Sequence, residues 1–207
     1  MHQKSPERVT RDATRKRYHL PVPLPFPHKM ECAMKRTVWT FGLIAGGIMA
    51  VMMVLTMPFQ EQIGTGNALM VGYGSMILAF LMVYFGIRTF RDKELAGVIR
   101  FGRAFQVGIL IALIASTCYV GTWEVLYRTA YQGFEIKYAK SATDQARSAG
   151  KSEADIQKLQ ASMAKFVASY PSATYRITMT YVEVLPVGLV MTLVCSGILS
   201  RKKVAGA

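Results

Sequence analysis

The sequence predicts an all-α polytopic membrane protein: four transmembrane helices, with an extracytoplasmic helical hairpin between the third and the fourth. Three observations predict it. Four apolar stretches, at roughly residues 38–58, 68–87, 104–123 and 177–199, approach the ~20 residues that cross ~30 Å of hydrocarbon at a rise of ~1.5 Å each. The first three carry no charge and the fourth only Glu183. Basic residues flank these stretches instead of gathering on one soluble module. Between the third and fourth stretches, apolar residues recur at helical spacing.

The chain has 207 residues, 52% hydrophobic, with 13 methionines, which is too apolar and too segmented for an ordinary soluble domain. The net charge of +13 raises a nucleic-acid reading, which its distribution excludes. Residues 1–36 hold nine Lys/Arg against three acids, residues 88–103 hold five against two, and Arg201, Lys202 and Lys203 close the C-terminus. Residues 59–67 hold none. The positive-inside rule then predicts cytoplasmic N- and C-termini, a cytoplasmic 88–103 connection, and outside placement for 59–67 and 128–176. The last segment carries eight basic residues and four acids, but long translocated segments obey the rule weakly.

Residues 1–34 are expected to be a disordered, basic, proline-rich tail, and 35–203 one membrane domain that includes 128–176. The run Pro21-Val22-Pro23-Leu24-Pro25-Phe26-Pro27 suits an extended polyproline conformation. Its readings are a ligand for a proline-recognising partner, an anionic-lipid tether, a disordered tail, or an over-called start. Met30 and Met34, just ahead of the basic anchor Lys35-Arg36, favour the last. It is not a cleavable signal peptide, because no small-residue cleavage site follows a short apolar core.

In the first span Gly42 and Gly46 form a GxxxG, which permits close helix approach. The span ends at Pro58, and Gly64 and Gly66 suit a tight outside turn. In the third span Ala104, Gly108, Ala112 and Ser116 recur every fourth position. Packing within one bundle is the expectation for both patterns, ahead of a dedicated dimer face. Tyr127, Tyr131, Phe134 and Tyr138 extend the third helix outward along one face. Gly150 breaks it, Ser152 with Asp155 starts a second helix in the manner of a capping box, and Ile156, Leu159, Met163, Phe166 and Val167 supply its apolar stripe. Pro171 stops it. The two apolar faces are expected to meet each other, or else to lie on the membrane or a partner.

Glu183 is the exceptional residue. A carboxylate inside a span costs a few kcal/mol on insertion scales and is expected to face other helices. Pro186 removes the hydrogen bond to the Val182 carbonyl and loosens that turn. Glu183 is either a proton- or ion-handling carboxylate beside a loosened helix, or an interhelical hydrogen bond to a Tyr or Thr hydroxyl. Glu124 lies at the outer end of the third span, on one helical face with Tyr127 and Arg128. It pairs with Glu183, or Arg128 or Arg176 neutralises one of the two; a polar interface cluster is the plainer account. The basic stretch from Arg88 to Glu94 suits anionic lipid headgroups, and topology signalling explains it equally well.

No phosphate-binding glycine loop, nucleophile elbow, HExxH or CxxC occurs. The three histidines lie at positions 2, 19 and 28, ahead of every span, so no histidine metal site within the membrane is expected. No cofactor is expected. The three cysteines, Cys32, Cys118 and Cys195, imply no disulfide framework.

Several separated segments, in order, resemble the bacterial membrane proteins of domain-of-unknown-function family 4199. They are Val71-Gly72-Tyr73-Gly74-Ser75-Met76, Tyr84-Phe85-Gly86-Ile87-Arg88, Arg91-Asp92-Lys93, Phe101-Gly102-Arg103-Ala104-Phe105 and Glu183-Val184-Leu185-Pro186-Val187-Gly188. The resemblance covers roughly residues 35–203 and implies a four-span bacterial inner-membrane protein with an extracytoplasmic segment before the last span. It implies no activity. The expected role is a non-enzymatic accessory or structural membrane protein whose partners are the lipid bilayer and a protein or second copy, met through helix faces or the outside hairpin. A small proton- or ion-coupled transporter component using Glu183 is the alternative. An intramembrane enzyme ranks last, because four helices enclose little volume and only one acid lies well inside the membrane.

Overall fold

The computed structural model describes residues 27–59 and 65–200. Among them are six α-helices and no strand: α1 (Pro27–Thr56), α2 (Thr65–Glu94), α3 (Phe101–Thr129), α4 (Phe134–Ser148), α5 (Glu153–Ser169) and α6 (Ala173–Leu199). A 3-10 turn, Met57–Phe59, follows α1. α1, α2, α3 and α6 are long and apolar enough to cross a membrane. The proline run before residue 27, the glycine turn at 64 and the basic C-terminus from 201 lie outside the described residues.

α1 opens eight residues ahead of the expected domain boundary at 35. Proline is tolerated in a first turn, where its missing N–H would be unpaired anyway, and the following residues (Met30, Glu31, Ala33, Met34) are good helix formers. α2 ends where Ala96 (φ 49°) and Gly97 (φ 84°) turn left-handed, with the Gly97 N–H donating to the Arg91 carbonyl.

α3 stops at Thr129, against the expectation of one helix running through Tyr138. Gly133 (φ 81°) takes a conformation that a helix interior forbids, and α4 restarts from it. The aromatic face survives the break, because the turn returns Phe134 to the Trp123 ring at 5.1 Å between centroids. α5 begins at the anticipated cap. The Asp155 N–H donates to Ser152 Oγ at 3.2 Å, and the Ser152 hydroxyl donates to Asp155 Oδ2 at 2.7 Å. The aspartate, one methylene shorter than the usual glutamate, closes the box on the hydroxyl.

In the bundle α1 packs on α2 and α3, and α6 packs on α3 and α2, so α1 and α6 are diagonal partners. α4 packs on α5. The core holds Phe80, Val83, Ile87, Met49, Ile111 and Val184, all 2% exposed or less. Outward-facing residues such as Leu43, Val51, Ile77, Leu113 and Val190 are also apolar, which suits lipid as the solvent.

Small residues set the helix spacing. A Cβ added at Gly108 would lie 2.8 Å from Thr192 Cγ2, and one added at Gly188 would lie 3.1 Å from Ala112 Cβ. Ala104, Gly108, Ala112 and Ser116 thus face α6, where Val184, Gly188, Thr192 and Ser196 answer at the same fourfold spacing; all eight are buried. Gly42 and Gly46 are likewise filled from within, by Ile114 and Cys118 of α3. Both small-residue patterns therefore serve packing inside one bundle.

Candidate functional site

Three polar links tie the α4–α5 pair to the end of the bundle beside it. The first is Arg176, which the first turn of α6 carries inward to 2% exposure. Its Nε donates to Glu124 Oε1 at 2.6 Å and its Nη2 to Glu124 Oε2 at 2.7 Å. Its Nη1 donates to the carbonyls of Tyr170 (3.1 Å) and Pro171 (3.3 Å), in the turn between α5 and α6. The guanidinium carbon lies 3.9 Å from the centroid of the Tyr127 ring. A buried guanidinium is tolerated where its donors are satisfied in this way, with a carboxylate fork and a ring face.

The second link is Trp123, whose Nε1 donates to the Tyr170 hydroxyl at 2.9 Å. Burial pushes the Tyr170 phenol up from its ordinary value, which keeps it a neutral acceptor. The third is Tyr127, whose hydroxyl donates to Glu135 Oε2 at 3.2 Å, with Glu135 only 5% exposed. Rings fill the space between these links. The Tyr170 ring lies tilted at 4.7 Å from Phe166 and edge-on at 5.6 Å from Tyr127, and Tyr138 meets Phe166 at 5.8 Å.

Beside this cluster lies a cavity of about 710 Å³, between the α4–α5 pair and the halves of the spans nearest to it. α1 contributes Met49, Met52, Met53 and Thr56 to its wall, and α2 contributes Tyr73, Ser75 and Met76. Tyr119 and Trp123 line it from α3, and Met179, Thr180 and Glu183 from α6. The hairpin adds Phe134, Tyr138, Phe166 and Tyr170. The volume falls within the range of ~300–1,000 Å³ usual for small-molecule sites.

The residues singled out in the sequence separate into two places. Glu124, Tyr127 and Arg128 sit together, with Arg128 Nε 3.6 Å from Glu124 Oε2, but the strong partner of Glu124 is Arg176. Glu183 is not paired with Glu124. It is exposed, lines the cavity, and has no hydrogen-bond or ion-pair partner among the described residues. The interhelical hydrogen bond to a Tyr or Thr is not formed. Tyr181, two residues away, makes that kind of link instead, its hydroxyl donating to Thr117 Oγ1 at 3.0 Å. The physical reason is rotation: the buried stripe of α6 runs through Arg176, Thr180 and Val184, and at ~100° per residue Glu183 lies about 60° off the middle of that stripe, in the cavity wall. α6 runs unbroken through Pro186, as lipid-embedded helices permit.

Trp123, Glu135, Tyr170 and Arg176 complete the cluster. For Arg176 the signal was present, a cation at the mouth of the last span opposite Glu124. For Glu135 and Tyr170 none was, because their burial comes from contacts made between helices. Among the described residues no group of three or more His, Cys, Asp or Glu side chains is placed to hold a metal ion.

Comparison with known proteins gives no match among curated proteins and none among solved structures. The family model described as "Protein of unknown function (DUF4199)" matches residues 40–201, a range that holds all four spans' apolar centres, the Arg176–Glu124 pair and Glu183. This integral membrane protein, of unknown biochemical function, therefore belongs to the DUF4199 family.

Proposed function

We propose that this protein is a non-enzymatic accessory component of the bacterial inner membrane. Both termini lie in the cytoplasm and the α4–α5 hairpin lies outside, where it docks a protein partner or a second copy. The observation that carries the reading is how the ionisable side chains at the hairpin's base are used. Arg176, Glu124, Tyr127 and Glu135 bind one another or backbone carbonyls. Groups locked in this way position a hairpin; a general acid or base must instead aim a proton or lone pair at a substrate. The orientation rests on charge. Arg88, Arg91, Lys93, Arg100 and Arg103 gather where α2 meets α3, at the end of the bundle opposite the hairpin.

Reporter fusions after residue 203 and within 140–150 are expected to read cytoplasmic and external respectively; the reverse would overturn the orientation. Photocrosslinkers placed at Lys158 and Lys165, both exposed on α5, should each give one discrete adduct at native expression, and one at buried Ile156 should give none. If the exposed positions give none either, the docking role falls.

One observation favours a second reading. Glu183 is unpaired and open to a cavity, as a proton- or ion-handling carboxylate of a small transporter component would be.

A further inference from the structure

We propose that the cavity beneath α4 and α5 is a binding site for an amphiphilic organic cation, its charge held against Glu183 and its apolar body among aromatic rings and methionines. The inference concerns binding alone. It stands whether the hairpin docks a partner or not, and whether or not the bound molecule is moved across the membrane.

The charge argument comes first. Among the described residues Glu183 is an acceptor without a donor, in a transmembrane helix, where an uncompensated carboxylate is costly. The nearest basic residue on its own helix, Arg176, is consumed by Glu124 and two carbonyls. Lys137 also lines the cavity, from α4, and has an interaction of its own. No hydrogen bond or ion pair to Glu183 is present among the described residues, so a bound cation can supply its counter-charge.

The walls give the rest of the chemistry. Tyr73, Tyr119, Trp123 and Tyr170 line the same cavity as Glu183. Ring faces are negative and attract a cation that has shed its water, most strongly when the site is dry. An anion would meet both the carboxylate and these faces unfavourably. Met49, Met52, Met53, Met76 and Met179 supply flexible, polarizable surface that adapts to an apolar body of varied shape. A charged head with an apolar frame matches Glu183, the ring faces and the methionines at once.

The test uses the full chain in a neutral maltoside detergent. Trp39, exposed on α1, is replaced (Trp39→Phe), so that Trp123 in the cavity wall is the only indole left. The probe is tetraphenylphosphonium, and tetraphenylborate is the anion of matched size. The cation should change Trp123 fluorescence saturably, and the borate should not. Glu183→Gln should weaken the cation about tenfold or more, since a close charge pair in a partly desolvated site exceeds the ~1.4 kcal/mol that a tenfold change requires. Glu183→Asp should retain part of the binding. Glu183→Gln should elute from a sizing column as the parent does, because nothing in the fold bonds to this side chain. Equal responses to both ions, an unchanged affinity in Glu183→Gln, or no saturable response would each overturn the proposal.

Discussion

Arg176 and Glu124, 52 residues apart in the chain, are joined by two parallel N–H···O bonds of 2.6 and 2.7 Å. The pair extends the α3–α6 seam outward. Below it Gly188 meets Ala112 and Thr192 meets Gly108 in the same antiparallel register. A single interface is thus close-packed along the spans and ionic at the end nearest the hairpin, where the same guanidinium also holds the α5–α6 turn.

Breaking that pair should loosen the hairpin end of the bundle. Removing one member of a buried ion pair costs about 3–5 kcal/mol, because the other is left charged and unpaired. Arg176→Ala and Glu124→Ala should each lower stability by that order in denaturant titrations of the detergent-solubilised protein. The double variant should lose less than the two singles together. Arg176→Lys should fall between, since it keeps the charge and loses the fork. Full additivity would show that the pair is not coupled.

The Trp123–Tyr170 bond gives a smaller effect and a pH signature. Tyr170→Phe removes the acceptor of a buried indole N–H and should cost about 1–3 kcal/mol. Burial raises the Tyr170 phenol above its ordinary value. The unfolded chain then ionises first, near pH ~10. The stabilisation tied to the neutral phenol is complete below that pH and declines as pH rises through it. Stability measured between neutral and strongly alkaline pH should therefore fall less steeply in Tyr170→Phe than in the parent.

Two glycines of α6 should respond in opposite ways to one methyl group. At Gly188 an added Cβ meets Phe80 Cζ at 2.9 Å and Ala112 Cβ at 3.1 Å, whereas at Gly197 it meets nothing within 4 Å. Gly188→Ala should destabilise by about 1–3 kcal/mol through overpacking. Gly197→Ala should be neutral or gain up to about 1 kcal/mol, from helix propensity alone. Thermal stability in detergent distinguishes them, and equal effects would contradict the α2–α3–α6 packing described.

Glu183→Gln and Glu183→Ala should both leave the amount of folded protein unchanged, since the side chain bonds to no partner among the described residues. If both variants then fail in the phenotype of a deletion strain at normal abundance, the carboxylate's charge is what function needs. A loss of folded protein in Glu183→Ala alone would return Glu183 to a structural role.

The sequence by itself determined the four spans, the small-residue stripes that join them and the cap at Ser152. Each depends on residues near one another in the chain: about twenty apolar residues in a row, small side chains every fourth position, an acid three residues after a serine. It also contained the roster of the outer cluster, in Glu124, Tyr127 and Arg176, but not their pairing. Which carboxylate takes the arginine depends on the rotation of α6 against α3, and Gly188 and Gly108 set that rotation through packing. The same rotation carries Glu183 off the α3 seam and into the cavity wall, where a reading of α6 alone would bury it against a neighbour. The break at Gly133 was likewise decided in three dimensions. The 3.6-residue period continues through it on paper, while Ala130 leaves the helical conformation (φ −134°) and Gly133 (φ 81°) starts the next helix folded back, so that Phe134, Tyr138, Phe166 and Tyr170 close over Trp123.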